Sequence, residues 1–184
     1  MNLTLLPITA ALIAVCAGTA SAQGFTPLLT ATAGTGSEET FLTVDFKDGS
    51  QNDSFAFGYK YDGVKTGTDL LNAFAPDGLM TQYIYNGRAV NGFTFGTHTE
   101  AGFAATGYWA YYKGPDGQNW TYSSVGVTAP LTNGAWDGWS WAPQGNAVPP
   151  ITPAAVPEAS SAVSLGILAL LGAGFIAIRR KKTA

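Results

Sequence analysis

Two aromatic stretches decide the fold, GYWAYYK at residues 107–113 and WDGWSW at residues 136–141. Side chains alternate between the two faces of a strand, so Trp109 and Tyr111 share one face of the first stretch. By the same rule, the last two tryptophans of the second stretch share a face. Each aromatic side chain buries about 150–250 Å². The two stretches therefore predict strands that supply much of a hydrophobic core.

Alternating or apolar segments elsewhere predict more strands. These strands are expected at residues 41–46, 54–61, 79–85, 88–95 and 118–123. Asn86-Gly87 is typical of a hairpin turn, and we prefer it to the Asn-Gly pair at 91–92 because longer apolar runs flank it. The opening stretch TATAGTGSEE, at residues 30–39, has the composition of a loop.

One helix is predicted, at residues 66–75. Thr66 and Asp69 have the spacing of a capping box, an apolar stripe follows, and a Pro-Asp-Gly sequence at 76–78 ends the helix. The order of strand, strand, helix and further strands favours an α+β domain over residues 23–142. This fold class is mainly antiparallel β with one short helix, and an all-β sandwich is the alternative.

The aromatic residues also form the candidate binding site. The candidate residues are Trp109, Tyr111, Trp120, Trp136, Trp139 and Trp141. One interpretation places these rings in the core, and the other places them on an exposed platform for a glycan or a flat cofactor. The core interpretation is favoured for any single ring, with one or two rings partly exposed. Asp137-Gly138 has the composition of a tight turn, which brings the flanking tryptophans together.

The charge balance excludes nucleic acid as a partner. Four of the nine basic residues lie at the C-terminal end, and the rest of the chain has five basic residues against twelve acidic ones. An acidic domain with so few cations repels phosphate backbones.

No complete catalytic or metal-binding motif is present in the sequence. The single histidine, His98, lies two residues from Glu100, and the pair lacks a third ligand. Residues 45–53 contain oxygen ligands of the kind that Ca²⁺ prefers, but a polar turn is the simpler interpretation. We therefore expect a protein that is not an enzyme and that holds no cofactor or metal.

The N-terminal residues predict export. Residues 3–15 are mostly apolar, and Ala20 and Ala22 form the small-x-small pattern that signal peptidase cleaves. Residues 1–22 are therefore expected to be a signal peptide that the secretion translocon handles. Cleavage after Ala22 removes Cys16, the chain's one cysteine, so a disulfide framework is excluded.

The C-terminal residues predict a membrane span. Residues 159–178 are uncharged, and a helix of that length crosses roughly 30 Å of hydrocarbon. The basic stop that follows consists of Arg179, Arg180, Lys181 and Lys182. Such cations stay in the cytoplasm, so the rest of the chain lies outside. Before the span, the proline-rich residues 143–157 predict an unfolded stalk.

These C-terminal features resemble the PEP-CTERM sorting signal of exopolysaccharide-producing bacteria. The resemblance covers residues 156–184 and rests on Val156-Pro157-Glu158, the span at 159–178 and the basic tail at 179–182. The family usually has proline after the glutamate, where this chain has Ala159. The resemblance implies cleavage near Pro157-Glu158 by an exosortase, a membrane protease. A membrane anchor that is never cut is the alternative.

The aromatic half of the domain is similar to the small β-grasp-like domain of transcobalamin-like proteins. The residues that carry this similarity are Leu70-Leu71, YWAYY at 108–112, Gly117, Trp120 and DGWSW at 137–141. The family usually has Asn-Gly after its Tyr-Trp strand, where this chain has KGPDG at 113–117. The similarity implies a β-grasp-like fold. Transcobalamin-like relatives use this domain in corrinoid binding, but no residue here selects a corrinoid.

Two functions follow from these expectations. The first is a non-catalytic protein that passes through the inner membrane to the cell surface or extracellular matrix, with exopolysaccharide as a partner there. The second is a binding module that uses the aromatic platform for a glycan or a flat cofactor.

Overall fold

The computed structural model describes residues 25–48, 52–103 and 107–155 of the chain. Its elements, in chain order, are β1 (Leu29–Gly34), β2 (Glu38–Asp45), β3 (Ser54–Tyr61), α1 (Gly67–Ala73), a 3-10 turn (Ala75–Asp77), β4 (Met80–Ile84), β5 (Ala89–Phe95), β6 (His98–Ala101), β7 (Gly107–Gly114), β8 (Thr121–Tyr122) and β9 (Trp136–Pro143). The described chain is thus mainly β structure with one short helix, as the sequence predicts.

The helix begins at the predicted capping box. The backbone N–H of Asp69 donates to the Thr66 hydroxyl over 3.4 Å, and the backbone N–H of Thr66 donates to the Asp69 carboxylate over 2.8 Å. These reciprocal bonds satisfy two donors that a helix start would leave unpaired. Leu70 and Leu71 on its apolar stripe are buried in the core. The presence of α1 in the core favours the α+β expectation over the all-β sandwich.

The hairpin between β4 and β5 turns at the first Asn-Gly pair, as predicted. Ile84 pairs with Ala89, and Asn86 and Gly87 between them have left-handed backbone angles, with φ of 55° and 81°. Asparagine and glycine adopt this region at low cost, which explains their place here. The second Asn-Gly pair lies inside β5.

Two sheets form the domain. The larger has six strands in the order β1-β3-β2-β9-β7-β8, and the smaller has three in the order β4-β5-β6. β2 pairs with β3 and β7 pairs with β9 in antiparallel fashion, but β2 pairs with β9 and β1 with β3 in parallel. The larger sheet is therefore mixed, where the sequence led us to expect an antiparallel one. Parallel neighbours are joined by long connections, so no short turn sequence predicts their pairing.

The main core fills the space between the larger sheet, α1 and the smaller sheet. Its members are buried side chains from all three parts, namely Leu42, Val44, Phe46, Phe57, Tyr59, Tyr61, Leu70, Leu71, Phe74, Leu79, Val90, Phe93, Trp109, Tyr111, Val127, Trp139 and Trp141. The opposite face of the larger sheet carries a smaller cluster around Ala110, Tyr112 and Ala142. Both faces of the central strands are covered, which explains why every residue of β9 before Pro143 is buried.

Two local expectations differ from the structure. Residues 30–39 are not a loop, because β1 occupies Leu29–Gly34 and β2 begins at Glu38. The strand expected at 118–123 is reduced to Thr121–Tyr122, because the Asp116 carboxylate accepts bonds from the backbone N–H groups of residues 118 and 119. A side chain that satisfies backbone donors in this way holds a turn and competes with a strand.

The proline-rich segment differs most from its expectation. Its described part, residues 144–155, packs on the domain and is here called the strap. Thr152 is buried, sharing a 2.9 Å hydrogen bond with the Thr43 hydroxyl and donating to the Gly117 carbonyl over 2.7 Å. The Ile151 N–H donates to the Asp45 carboxylate over 2.8 Å. The stalk interpretation is wrong for residues 144–155. A proline-rich composition indicates a stiff, extended segment, but it does not indicate whether that segment packs on a sheet.

Several predicted regions lie outside the described residues. They are the signal peptide at 1–22, the sorting signal with Val156-Pro157-Glu158, the span at 159–178 and the basic tail at 179–182. In the part of the chain that the structure describes, no helix has the length and apolar character needed to cross a membrane.

The strap predicts a stability effect at Thr152. Thr152→Val keeps the shape but leaves the buried Gly117 carbonyl without this donor, so we expect a loss of about 1–3 kcal/mol in the free energy of unfolding. Urea unfolding measures it, with Thr30→Val on the exposed face of β1 as the matched control. Equal unfolding free energies for the two variants would show that the hydrogen bonds of Thr152 do not stabilise the domain.

Candidate functional site

Four of the predicted site residues meet in the main core. β7 and β9 are antiparallel neighbours that pair Trp109 with Trp141 and Tyr111 with Trp139. The Tyr111 and Trp139 rings stack with centroids 4.5 Å apart, and Phe93 of the smaller sheet meets Trp109 edge-on at 4.7 Å. The alternation read from the sequence is confirmed, since each pair shares the face of its strand that turns inward.

The other two predicted residues, Trp120 and Trp136, lie on the opposite face of the larger sheet. Trp136 stacks on Phe41 with centroids 4.6 Å apart. Trp120 is partly buried and meets Trp136 edge-on at 6.4 Å. These rings belong to a second, smaller aromatic layer beneath the strap.

The six residues therefore do not form a solvent-facing platform. Trp109, Tyr111, Trp136, Trp139 and Trp141 are each only 4–5% exposed. The smaller sheet covers the inward set, and Phe25 and Phe41 cover Trp136. A ligand ring that stacks needs an exposed aromatic face, which these five buried rings do not offer.

The expected tight turn at Asp137-Gly138 is also absent, because both residues lie inside β9. The glycine has a packing reason instead. A Cβ at Gly138 would lie 2.7 Å from both Trp120 and Pro150, closer than real contacts allow. Glycine therefore permits the strap and the Trp120 ring to reach the sheet.

Asp137 is a buried carboxyl with two partners. The Tyr111 hydroxyl donates to it over 2.9 Å, and the Lys113 ammonium lies 3.6 Å away. Burial raises the pKa of Asp137, and the lysine opposes that shift. Burial and the neighbouring carboxyl raise the pKa of Tyr111. The network holds the stacked Tyr111 ring in place, with the Asp137 carboxyl buried and the Lys113 side chain partly exposed.

His98 finds its close partner outside its own strand. Its Nδ1 lies 2.6 Å from the Asp48 carboxylate, and its ring contacts Phe46 and Phe55. Burial, followed by the Asp48 charge, raises the pKa of Glu100. Among the described residues, no group of three or more histidine, cysteine, aspartate or glutamate side chains is arranged to hold a metal ion.

An aromatic cleft opens at the end of the core next to β7 and β8. It has a volume of about 280 Å³, and the twelve described residues that line it are all uncharged. Its floor includes Trp109, Tyr111 and Trp139 of the main core. Its rim includes Tyr85, Phe103 and Tyr122, which are 61%, 54% and 56% exposed. We call these twelve residues the aromatic cleft.

The rim rings are held by neighbouring aromatic groups. Tyr85 and Phe103 meet edge to face at 5.5 Å, and Tyr122 meets Tyr112 edge to face at 5.6 Å. Burial, and then the neighbouring Tyr122, raise the pKa of the Tyr108 hydroxyl at the cleft, so this phenol stays neutral. Ser123 and Ser124 add two hydroxyl groups beside the rings.

This cleft was not predicted from the sequence. Its rim residues come from the turn after β4, the segment that follows β6, and β8, so no single stretch of sequence displays them together. One signal was available at Tyr85, the residue before Asn86-Gly87, since a large ring next to a tight turn rarely reaches the core.

No protein-family model, curated protein or solved structure matches this chain. The proposed function therefore draws on the sequence of the two ends of the chain and on the arrangement of the described residues. That arrangement comprises a buried aromatic core, a buried carboxyl network and an uncharged cleft.

The burial pattern predicts how the tryptophans respond to iodide. Iodide quenches exposed indole rings, so we expect Trp120 to account for most of the quenchable fluorescence, because the other four tryptophans are buried. Trp120→Phe should abolish most of the quenching, whereas Trp136→Phe should leave it unchanged. Strong quenching that survives Trp120→Phe would contradict the burial of the other rings.

Asp137 predicts a specific pH dependence of stability. Its pKa is raised from the ordinary 3.8, so between 3.8 and the raised value the folded protein keeps a proton that the unfolded chain releases. Stability should therefore fall as the pH rises through this window. The asparagine in Asp137→Asn cannot titrate, so the unfolding free energy of this variant should not fall with pH in this window. Urea unfolding at a series of pH values measures both proteins, and identical pH slopes would refute the assignment.

Proposed function

We propose that the chain is a non-catalytic exported protein whose domain is displayed at the cell surface or in the extracellular matrix. Signal peptidase and the translocon handle residues 1–22, and an exosortase-type membrane protease handles residues 156–184. The protein is held in the inner membrane by the span at 159–178 until this processing occurs. The tail's resemblance to the PEP-CTERM signal, which occurs in exopolysaccharide-producing bacteria, supports this proposal.

The observation that supports this proposal is that the two ends of the described domain are hydrogen-bonded to each other. The Leu28 N–H donates to the Pro153 carbonyl, and the Ala155 N–H donates to the Thr26 carbonyl, each over 2.9 Å. The two ends of the described chain are thus bonded to each other. The last of these contacts falls directly before Val156-Pro157-Glu158. Cleavage after Ala22 and near Glu158 would leave every one of these bonds in place.

The non-catalytic part of the proposal is supported by how the ionisable groups are used. Asp137 is engaged by Tyr111 and Lys113, and Asp45 is engaged by Lys47 and by the strap. The one histidine is paired with Asp48. Each of these groups serves a structural contact.

We also infer a β-grasp-like core. The support is the order of its elements: an antiparallel hairpin of β2 and β3, then α1, then an antiparallel pair of β7 and β9. The first and last of these strands, β2 and β9, are parallel neighbours at the centre of the sheet. This arrangement is what the similarity to the transcobalamin-like domain implies.

Ligand binding is the second candidate function. The observation that favours it is the aromatic cleft, whose exposed rings replace the buried ones that the sequence suggested.

The mass of the native protein tests the main proposal. We expect the protein from its own cells to lack the first 22 residues and roughly the last 25, because both flanking segments are removed. Glu158→Ala should retain the intact C-terminus in the membrane fraction, since it alters the sorting motif. Intact-mass spectrometry of both fractions measures this.

Pro149→Ala is the matched control, because it changes an exposed proline of the strap and leaves the motif intact. It should be processed like the natural protein. An intact C-terminus on the natural cell-associated protein would refute cleavage. The tail would then be a membrane anchor that is never cut.

A further inference from the structure

We propose that the aromatic cleft binds an uncharged pyranose ring of a glycan. This goes beyond surface display, because it assigns the displayed domain a ligand class and a binding site. The site uses Tyr85, Phe103 and Tyr122 as its exposed rings, and none of them belongs to the aromatic set read from the sequence.

Exposed aromatic rings border the cleft. Large aromatic side chains are normally buried, and a cluster of exposed ones marks an interaction site. Tyr85, Phe103 and Tyr122 are each more than half exposed, and they border one cleft. Beneath them lie Trp109 and Trp139, which pack on Phe93 of the smaller sheet. The exposed rings thus stand on a rigid base.

The charge of the cleft lining restricts the kind of ligand that can bind. All twelve described residues that line the cleft are uncharged. A phosphate, a carboxylate or a metal-bound ligand would be desolvated there without a partner, which is costly. The excess of acidic residues in the domain also disfavours an anionic glycan. The ligand is therefore neutral.

The cleft combines aromatic rings with hydroxyl groups. A pyranose presents an apolar C–H face, which packs on an aromatic ring, and hydroxyl groups at its edge. The cleft offers both kinds of partner, with phenol groups on Tyr85, Tyr108 and Tyr122 and hydroxyl groups on Ser123 and Ser124. A wholly apolar flat ligand would make no use of these polar groups.

The size of the cleft restricts how much of a ligand it can cover. Pockets for whole small molecules are commonly about 300–1,000 Å³ and bury most of the ligand. At about 280 Å³ and with exposed walls, this cleft covers one or two rings of a longer chain. A glycan continues beyond such a site into solvent, whereas a flat cofactor would remain largely uncovered.

The backbone at Tyr85 supplies an independent observation. Its φ is 52°, in the left-handed region, which is unfavourable for a bulky side chain. Asparagine or glycine would occupy this position at lower cost. The ring is mostly exposed, so core packing does not account for it. Strained residues of this kind occur where a side chain serves binding.

Titration of the full chain with neutral oligosaccharides tests the proposal. The chain is purified in a zwitterionic detergent, because sugar-headed detergents would compete, and isothermal titration calorimetry follows the addition of cellohexaose, mannohexaose or maltohexaose. Hexagalacturonic acid serves as the charged counterpart, and lumiflavin as the flat one. We expect saturable binding of at least one neutral hexaose, and none of the acid or the flavin.

Three substitutions locate the binding and separate it from folding. Tyr122→Ala should weaken the Kd about tenfold, because it removes one stacking ring. Tyr85→Asn should also weaken binding while the protein melts at the same or a higher temperature, because asparagine relieves the backbone strain. Met80→Ala, which removes a similarly exposed side chain outside the cleft lining, should change neither property.

The proposal is overturned if no neutral hexaose binds, if the acid or the flavin binds as well as the sugars, or if both cleft variants bind like Met80→Ala. Failure of this test leaves surface display intact, because the mass measurement on the native protein does not depend on the cleft.

Discussion

The parallel pairing of β2 with β9 is the contact on which the rest of the domain depends. It joins strands from the two ends of the domain, with Phe41 opposite Trp136 and Val44 opposite Trp139. Its register decides which aromatic rings of β9 point into the main core and which point towards the strap, because a shift of one residue would exchange the two sets. The central strands are consequently covered on both faces. Neither half of the chain could build this core by itself.

Local features of the fold could be predicted from the sequence, but long-range pairings could not. The capping box at Thr66, the turn at Asn86-Gly87 and the alternation of β7 and β9 each depend on residues a few positions apart. The parallel neighbours and the docked strap depend on segments that meet only after folding. β1 was missed because, after Leu29, this short edge strand consists of threonine, alanine and glycine and so has no further large apolar side chain.

The candidate site illustrates the same limit. Alternation correctly grouped Trp109 with Tyr111 and Trp139 with Trp141, but it does not tell which face of a strand meets solvent. Gly138 was misleading because Asp-Gly is common in turns, whereas here the glycine makes room for Pro150 and Trp120. The exposed rings of the cleft come from three separate segments, and their proximity is a property of the tertiary structure alone.

The strap and the floor of the cleft lie on opposite faces of the larger sheet, and this separation has a consequence for a displayed domain. The strap contacts Thr43 and Asp45 of β2 and the Gly138 position of β9, whose side chains point away from the main core. The cleft floor is formed by Trp109, Tyr111 and Trp139, which alternate with those positions and belong to the main core. Tyr108 at the cleft packs on the smaller cluster that the strap's Ala147 also contacts, but none of the described strap residues lines the cleft. A domain held through its C-terminal side would keep the cleft open to solvent, so attachment and ligand binding are compatible in one molecule.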